Sequence, residues 1–350
     1  MRLAQTIPAL SLSLALWSCS STPTQPGTTA ETKTQTPAPA AGKILRVDPA
    51  LDNLLPADAK IERVATGFTF TEGPLWRPQG VLWFSDIPGN VVRSVSPSGE
   101  VKELIAKAGG DPAVSPGTLI GPNGMVPDKD DAVLLCQHGN RRIVRVAKDL
   151  SITPFLENYE GKRFNSPNDL VYRSDGALYF TDPPYGLPKQ DDDPAKQLSF
   201  NGVFLYAKGK LQPVAKDIQR PNGIALSPDE KTLYVSNSDE KTRSIMRYDV
   251  NPDGTVSKGR IFYDFSTAKE QGIPDGLKID SQGNVYATGP EGVWIFGPDG
   301  KHLGTIQPGE TAANCAWGDD GKTLYITAST SVYRVRLSVA GEKALYQTWR

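Results

Sequence analysis

Six short polar motifs recur along the chain, and their residue types suit the binding of a hard metal ion. They are Glu72-Gly73-Pro74, Asn123-Gly124-Met125, Asn168-Asp169-Leu170, Asn222-Gly223-Ile224, Asp275-Gly276-Leu277 and Asn314-Cys315-Ala316, spaced 51, 45, 54, 53 and 39 residues apart. Every leading residue carries a side-chain oxygen, and none is His or Cys. Oxygen-only donor sets suit Ca2+, Mg2+ or Mn2+ rather than zinc. Two carboxylates, Glu72 and Asp275, would neutralise one dication, and amide oxygens would fill part of its shell. The remaining positions would hold water or substrate, which a catalytic metal needs.

Other chemistries find little support. The two histidines, His138 and His302, fall in different repeats, so a His cluster for zinc is not built. There is no G-x-S-x-G nucleophile elbow, no P-loop and no dinucleotide fingerprint. With 38 basic and 39 acidic residues the chain has no electrostatic footprint for nucleic acid, and a small molecule is the more natural partner. His302 reads as a strand surface residue. His138, at the end of a strand run, is a candidate for the channel mouth.

The elements that must position the six motifs repeat with them. After each motif comes a short apolar strand, then a turn such as Arg77-Pro78-Gln79-Gly80 or Ser281-Gln282-Gly283. An aromatic-rich run follows, as in Leu178-Tyr179-Phe180-Thr181 or Leu324-Tyr325-Ile326-Thr327. Third and fourth runs complete most copies. Repeats of about 40–50 residues with three to four strands each signal propeller blades. The chain is therefore expected to be all-β, a six-bladed β-propeller over residues 43–350. The innermost strand of each blade lines the channel, so one register position in every blade forms a ring. A single Asn-Gly or Asp-Gly is an ordinary turn former, but six polar residues in one register argue for a ring. The last copy is short, so the other end of the chain should close it, through Ile61–Thr66. Residues 344–349 are the competing candidate. Cys136 and Cys315 fall in non-neighbouring blades and should remain separate thiols.

Ahead of the repeats, Arg2 precedes an apolar stretch from Ile7 to Trp17, too short to span a bilayer. It ends in Leu16-Trp17-Ser18-Cys19, which resembles a bacterial lipobox. Residues 1–19 are expected to be a lipoprotein signal with Cys19 lipidated. Residues 20–42, rich in Thr, Pro and Ala, read as a flexible tether. The expected product is an exported, membrane-anchored lipoprotein facing the periplasm or cell surface. It is expected to be monomeric and to touch the membrane only through its lipid.

Several motifs together carry a family resemblance: Glu72-Gly73-Pro74-Leu75-Trp76, Asn165-Ser166-Pro167-Asn168-Asp169, Thr181-Asp182-Pro183-Pro184-Tyr185-Gly186, Arg220-Pro221-Asn222-Gly223 and Pro274-Asp275-Gly276-Leu277. The chain from about Ile61 onward resembles the gluconolactonase branch of the senescence marker protein, gluconolactonase and luciferin-regenerating enzyme family. The resemblance implies a lactone or ester hydrolase with one divalent cation in the channel, Ca2+ first, with Mg2+, Mn2+ or Zn2+ as alternatives. It implies metal ligands at Glu72, Asn222 and Asp275. Asn168 matches a position that is a ligand in a related phosphatase and a substrate contact in the lactonases. Asp275 is then the candidate catalytic residue, taking a proton from the attacking water or holding that water. Asn123, Asn168, His138 and Tyr185 are candidate substrate contacts. Ser166 stands where the animal lactonases place a substrate-binding arginine. The loop from Asp182 to Phe200 is the longest insertion, a solvated acidic loop or a lid. The rival functions are phosphotriester hydrolysis at the same ion and a non-catalytic ligand-binding propeller.

Overall fold

The computed structural model describes residues 42–348 apart from 114, 116 and 118. The expected signal, Cys19 and nearly all of the tether lie outside the described residues. The repeat pattern folds as expected into six consecutive antiparallel sheets, the blades of a propeller. The innermost strands are Thr71–Arg77, Pro122–Pro127, Leu170–Tyr172, Pro221–Leu226, Leu277–Ile279 and Ala312–Gly318. Ile61–Thr66 closes the ring as the outer strand of blade six, with Ile61 opposite Val335 and Thr66 opposite Ser331.

Two features were not foreseen. Lys43–Arg46 adds a fifth, outermost strand to blade five, pairing with His302–Gln307. Among the described residues the other end of the chain adds no strand to a blade; Gly341 makes only an isolated antiparallel bridge with Asp280. The Glu342 amide donates to the Ile279 carbonyl at 2.9 Å, and the Tyr346 ring meets Tyr172 edge-on at 5.6 Å. Residues 342–347 thus cross the channel end away from the six motifs. There they wall a cavity of about 580 Å³ together with Leu75, Met125, Ile224, Lys278 and Trp317.

Burial explains why the strands are apolar on both faces. The core is divided into six clusters, one at each junction between blades. At the junction of blades two and three, for example, Val126, Leu134 and Cys136 meet Leu178, Phe180 and Phe204. Cys315 belongs to the cluster between blades five and six. The two thiols are free, as expected. Burial pushes Cys136 well above the ordinary thiol range and Cys315 to about 12. Thiol titration without reductant should therefore find both unreactive in the native protein and both reactive after denaturation. A disulfide between them in peptide mapping would contradict the blade order.

Candidate functional site

The ring residues reach the channel because the innermost strands break their ladders there. Pairing register shifts between Glu72 and Leu75, between Pro122 and Met125, between Pro221 and Ile224, and between Ala312 and Asn314. In blades three and five pairing begins just beyond the motif residue, at Leu170 and Leu277. A bulge re-aims a side chain that regular pleating would send into a blade interface.

The glycine after the ring residue has a packing reason. A Cβ on Gly73 would lie 2.1 Å from the Asn123 carbonyl oxygen, one on Gly124 2.5 Å from that of Asn168, and one on Gly223 2.3 Å from that of Asp275. Each glycine lets its blade's backbone touch the next ring residue. The Gly124 amide donates to the Asn168 carbonyl at 2.8 Å and the Gly223 amide to that of Asp275 at 3.0 Å. The Asn-Gly and Asp-Gly pairs are thus close-approach sites rather than turns. Second-strand hydroxyls add to the belt: Ser85 donates to the Asn123 carbonyl and Thr181 to that of Asn222, both at 2.7 Å. The neighbouring Asp86 and Asp182 accept backbone amides from the loops that lead into Glu72 and Asn168.

Within the channel, carboxyl groups crowd together. Burial raises Glu72 to about 7, and nearby Asp169 adds to the shift. Burial, then the Glu72 and Asp169 carboxylates, raise Asp275 well above the ordinary range, while the nearby Asn222 side chain pulls the other way. Glu72 Oε2 accepts from the Gly73 amide and from Asn314 Nδ2, the latter at 3.0 Å. Among the described residues its Oε1 is buried with no hydrogen-bond partner, and so is Asn123 Oδ1. Crowded acids and orphaned oxygens fit a hard cation, whose charge would reverse the repulsion. Among the described residues no group of three or more His, Cys, Asp or Glu side chains is arranged to hold a metal. The candidate set instead combines two carboxylates with amides.

Asn314 departs from the expected ring of oxygens. Its Oδ1 accepts from the Cys315 amide at 2.9 Å and faces the Lys278 ammonium at 3.4 Å, so it turns its NH2 toward Glu72. Sequence reasoning also passed over Asp169, which forms an ion pair of 3.6 Å with Lys278 inside the channel. The signal was present: Asp169 occupies a position that is glycine in four of the six motifs.

At the mouth, His138 is buried between Asn123 and Leu119. Its Nδ1 donates to the Leu119 carbonyl at 3.1 Å, which leaves Nε2 to accept from Asn123 Nδ2 at 3.1 Å. That bond holds the Asn123 amide with its oxygen free. Burial lowers the His138 pKa to about 4, which favours the neutral ring that accepts from Asn123. As pH falls from about 6.5 to about 4, the unfolded chain protonates this ring and the folded one does not. The group should therefore remove about 1.4 kcal/mol of stability per pH unit across that window. Urea titrations of wild type and His138→Leu at pH 7 and pH 5 test this: the variant should lose less stability on acidification.

Tyr185 is also brought to the site. Burial, then the Asp275 carboxylate, raise its phenol, and the nearby Ser238 hydroxyl opposes the shift. Ser166 holds this loop, donating to the Pro183 carbonyl at 2.6 Å and accepting from the Gly186 amide at 2.8 Å. It anchors the tyrosine's loop where a substrate-binding arginine was the family expectation. Farther along, Asp191 pairs with Arg220 and with Lys196, so the acidic insertion is latched to blade four rather than freely solvated.

With this geometry in place, comparison with known proteins decides the family. Residues 70–330 match the SMP-30/gluconolactonase/LRE-like region model. The chain belongs to this family. A gluconolactonase of Zymomonas mobilis subsp. mobilis is 40% identical over 315 residues, covering 86% of this chain and 87% of that protein. The solved structure of a gluconolactonase from Xanthomonas campestris aligns with a TM-score of 0.74 at 31% identity, over 87% of this chain and 99% of that one. Regucalcin from Agrobacterium tumefaciens, described as a calcium-binding protein, shares the fold with a TM-score of 0.63 at 20% identity, over 81% of this chain and 95% of that one. Family membership thus agrees with the motifs that first suggested it, and those motifs lie at the blade-to-blade contacts around one channel.

Proposed function

We propose that this protein is a lactone hydrolase of the gluconolactonase type, working with one divalent ion in the channel. The observation that carries the reading is the juxtaposition of Glu72, Asp275 and Asn222 at the ring, with Glu72 Oε1 left without a partner. The near-full-length similarity to a gluconolactonase supports the substrate class. Glu72, Asn222 and Asp275 would hold the ion, with Asn168 beside them. Bound there, a dication polarises a lactone carbonyl and makes water a stronger nucleophile. The protein's own groups supply the rest. Asp275 holds the attacking water and receives its proton. The free Asn123 Oδ1, fixed by His138, accepts a hydrogen bond from a substrate hydroxyl. Tyr185 closes one side of the mouth and helps to exclude water.

A substrate panel tests the reading. Glucono-1,5-lactone and related aldonolactones should be hydrolysed, with activity lost to chelator and restored by added Ca2+, Mn2+ or Mg2+. Hydrolysis of a fluorophosphate alone would point to phosphotriester chemistry. Tight sugar binding with no turnover of any lactone or ester would make the protein a binding module.

A further inference from the structure

Two to four residues beyond each polar ring residue, the chain places an apolar one on the same blade's innermost strand: Leu75, Met125, Leu170, Ile224, Ile279 and Trp317. All six line the cavity of about 580 Å³ at the far end of the channel. A second, apolar ring thus follows the polar one, with one member from each blade. Residues 342–347 lie across it as a strap. The strap is pinned at its start, where Gly341 sits so close to the Trp317 ring that a Cβ would come within 1.9 Å of Cγ. Among the described residues, no backbone amide beyond that of Glu342 donates from the strap to a blade. Its far part rests on the contact between Tyr346 and Tyr172. A segment held by so few bonds opens at low cost.

Charge around this cavity is mainly negative. Asp229 and Glu230 line it from the turn after Pro221–Leu226, and Glu342 lines it from the strap. Burial raises the Glu342 carboxyl above its ordinary range, and its charged neighbours Glu230 and Asp280 add to the shift. Two lysines also line the cavity, but Lys278 is paired with Asp169 on the channel side and Lys343 is exposed. Tyr172, Trp317 and Tyr346 bring aromatic rings to the same space, and the faces of such rings attract cations.

We propose that the far-end cavity is a second small-molecule site, which takes an organic cation: the apolar or aromatic body sits within the apolar ring and the ammonium faces Glu342 and Glu230. Cavities of about 300–1,000 Å³ with apolar walls and a few polar groups suit small molecules. A neutral body would leave Glu342 among like charges, and an anion would add to them. The ligand enters where the strap lifts. The site is separate from the polar ring, so it stands whether or not the ring holds an ion.

Titration calorimetry on the purified full-length chain tests this with three probes of similar shape: 1-naphthylmethylammonium, 1-naphthylmethanol and 1-naphthoate. Each is run with saturating calcium and with chelator. Wild type should bind one 1-naphthylmethylammonium about tenfold more tightly than the alcohol, with the naphthoate weaker still, and calcium should leave the affinity unchanged. E342Q should still bind the alcohol but lose the preference for the ammonium, and E342D, which keeps the charge, should retain it. L345W adds volume on the strap and should weaken both probes. These positions lie on the strap, so the thermal melts should match wild type. Equal affinity of wild type for all three probes would overturn the proposal, as would binding of none of them. Ammonium binding that E342Q leaves unchanged, or that calcium displaces, would place the probe at the polar ring and overturn it as well.

Discussion

Asp275→Asn should lower kcat/KM for glucono-1,5-lactone by about 10²–10⁴-fold, the range for losing a general base or a preorganised charge. The substitution keeps an oxygen at the position but removes the carboxylate and the proton acceptor. The loss should fall mainly on kcat, because the interaction strengthens as the water attacks. Calcium affinity should fall as well, since one of the two ring carboxylates disappears. Steady-state kinetics at saturating calcium separate the two effects. A variant whose turnover is restored by more calcium would leave Asp275 a ligand only. Unchanged turnover at ordinary calcium would remove it from the chemistry altogether.

Gly223→Ala should be among the most damaging single-atom changes in the molecule. The added carbon would sit 2.3 Å from the Asp275 carbonyl and 2.7 Å from the Leu277 amide nitrogen, both backbone atoms that no rotamer change can move. Overpacking of this kind costs about 1–3 kcal/mol, and the junction of blades four and five must spread to accept it. A fall in Tm of about 5–10 °C is expected, with weaker calcium binding because Asp275 moves with the strand. Gly80→Asn is the control. Gly80 has φ +76° and no atom within 4 Å of the added carbon, and Asn tolerates the left-handed region. Its melt should lie close to wild type. Equal melts for Gly223→Ala and wild type would show that the inter-blade contact is looser than described.

The blades were legible because each repeats a turn, an aromatic run and a polar opening residue, and because repetition fixes register. That was enough to place Glu72, Asn222 and Asp275 on one channel and to choose Ile61–Thr66 as the closing strand. What escaped notice was set by contacts between copies. Nothing about Asn314 as a residue type says which end of its amide faces the channel; the Cys315 amide and Lys278 decide that. Ser166 looked like a missing substrate contact until the Pro183–Gly186 loop was seen resting on its hydroxyl. Lys43–Arg46 lies outside the repeat, so periodicity offered no partner for it. The role of His138 turned on burial, which a lone histidine near a strand end does not reveal.

The seam at which the ring closes also governs the order of assembly. Ile61 pairs with Val335, so this ladder joins segments about 270 residues apart; the Lys43–Arg46 strand on blade five is comparably long-range, whereas the remaining blade ladders join neighbours in sequence. Bringing such distant ends together costs about 5 kcal/mol of chain entropy, against about 1 kcal/mol for a tight hairpin. Blades one to five can form and dock as the chain emerges. The sixth junction must wait for residues near 336, with Ile61–Thr66 unpaired until then. The loop-closure cost thus places closure of the ring last in assembly.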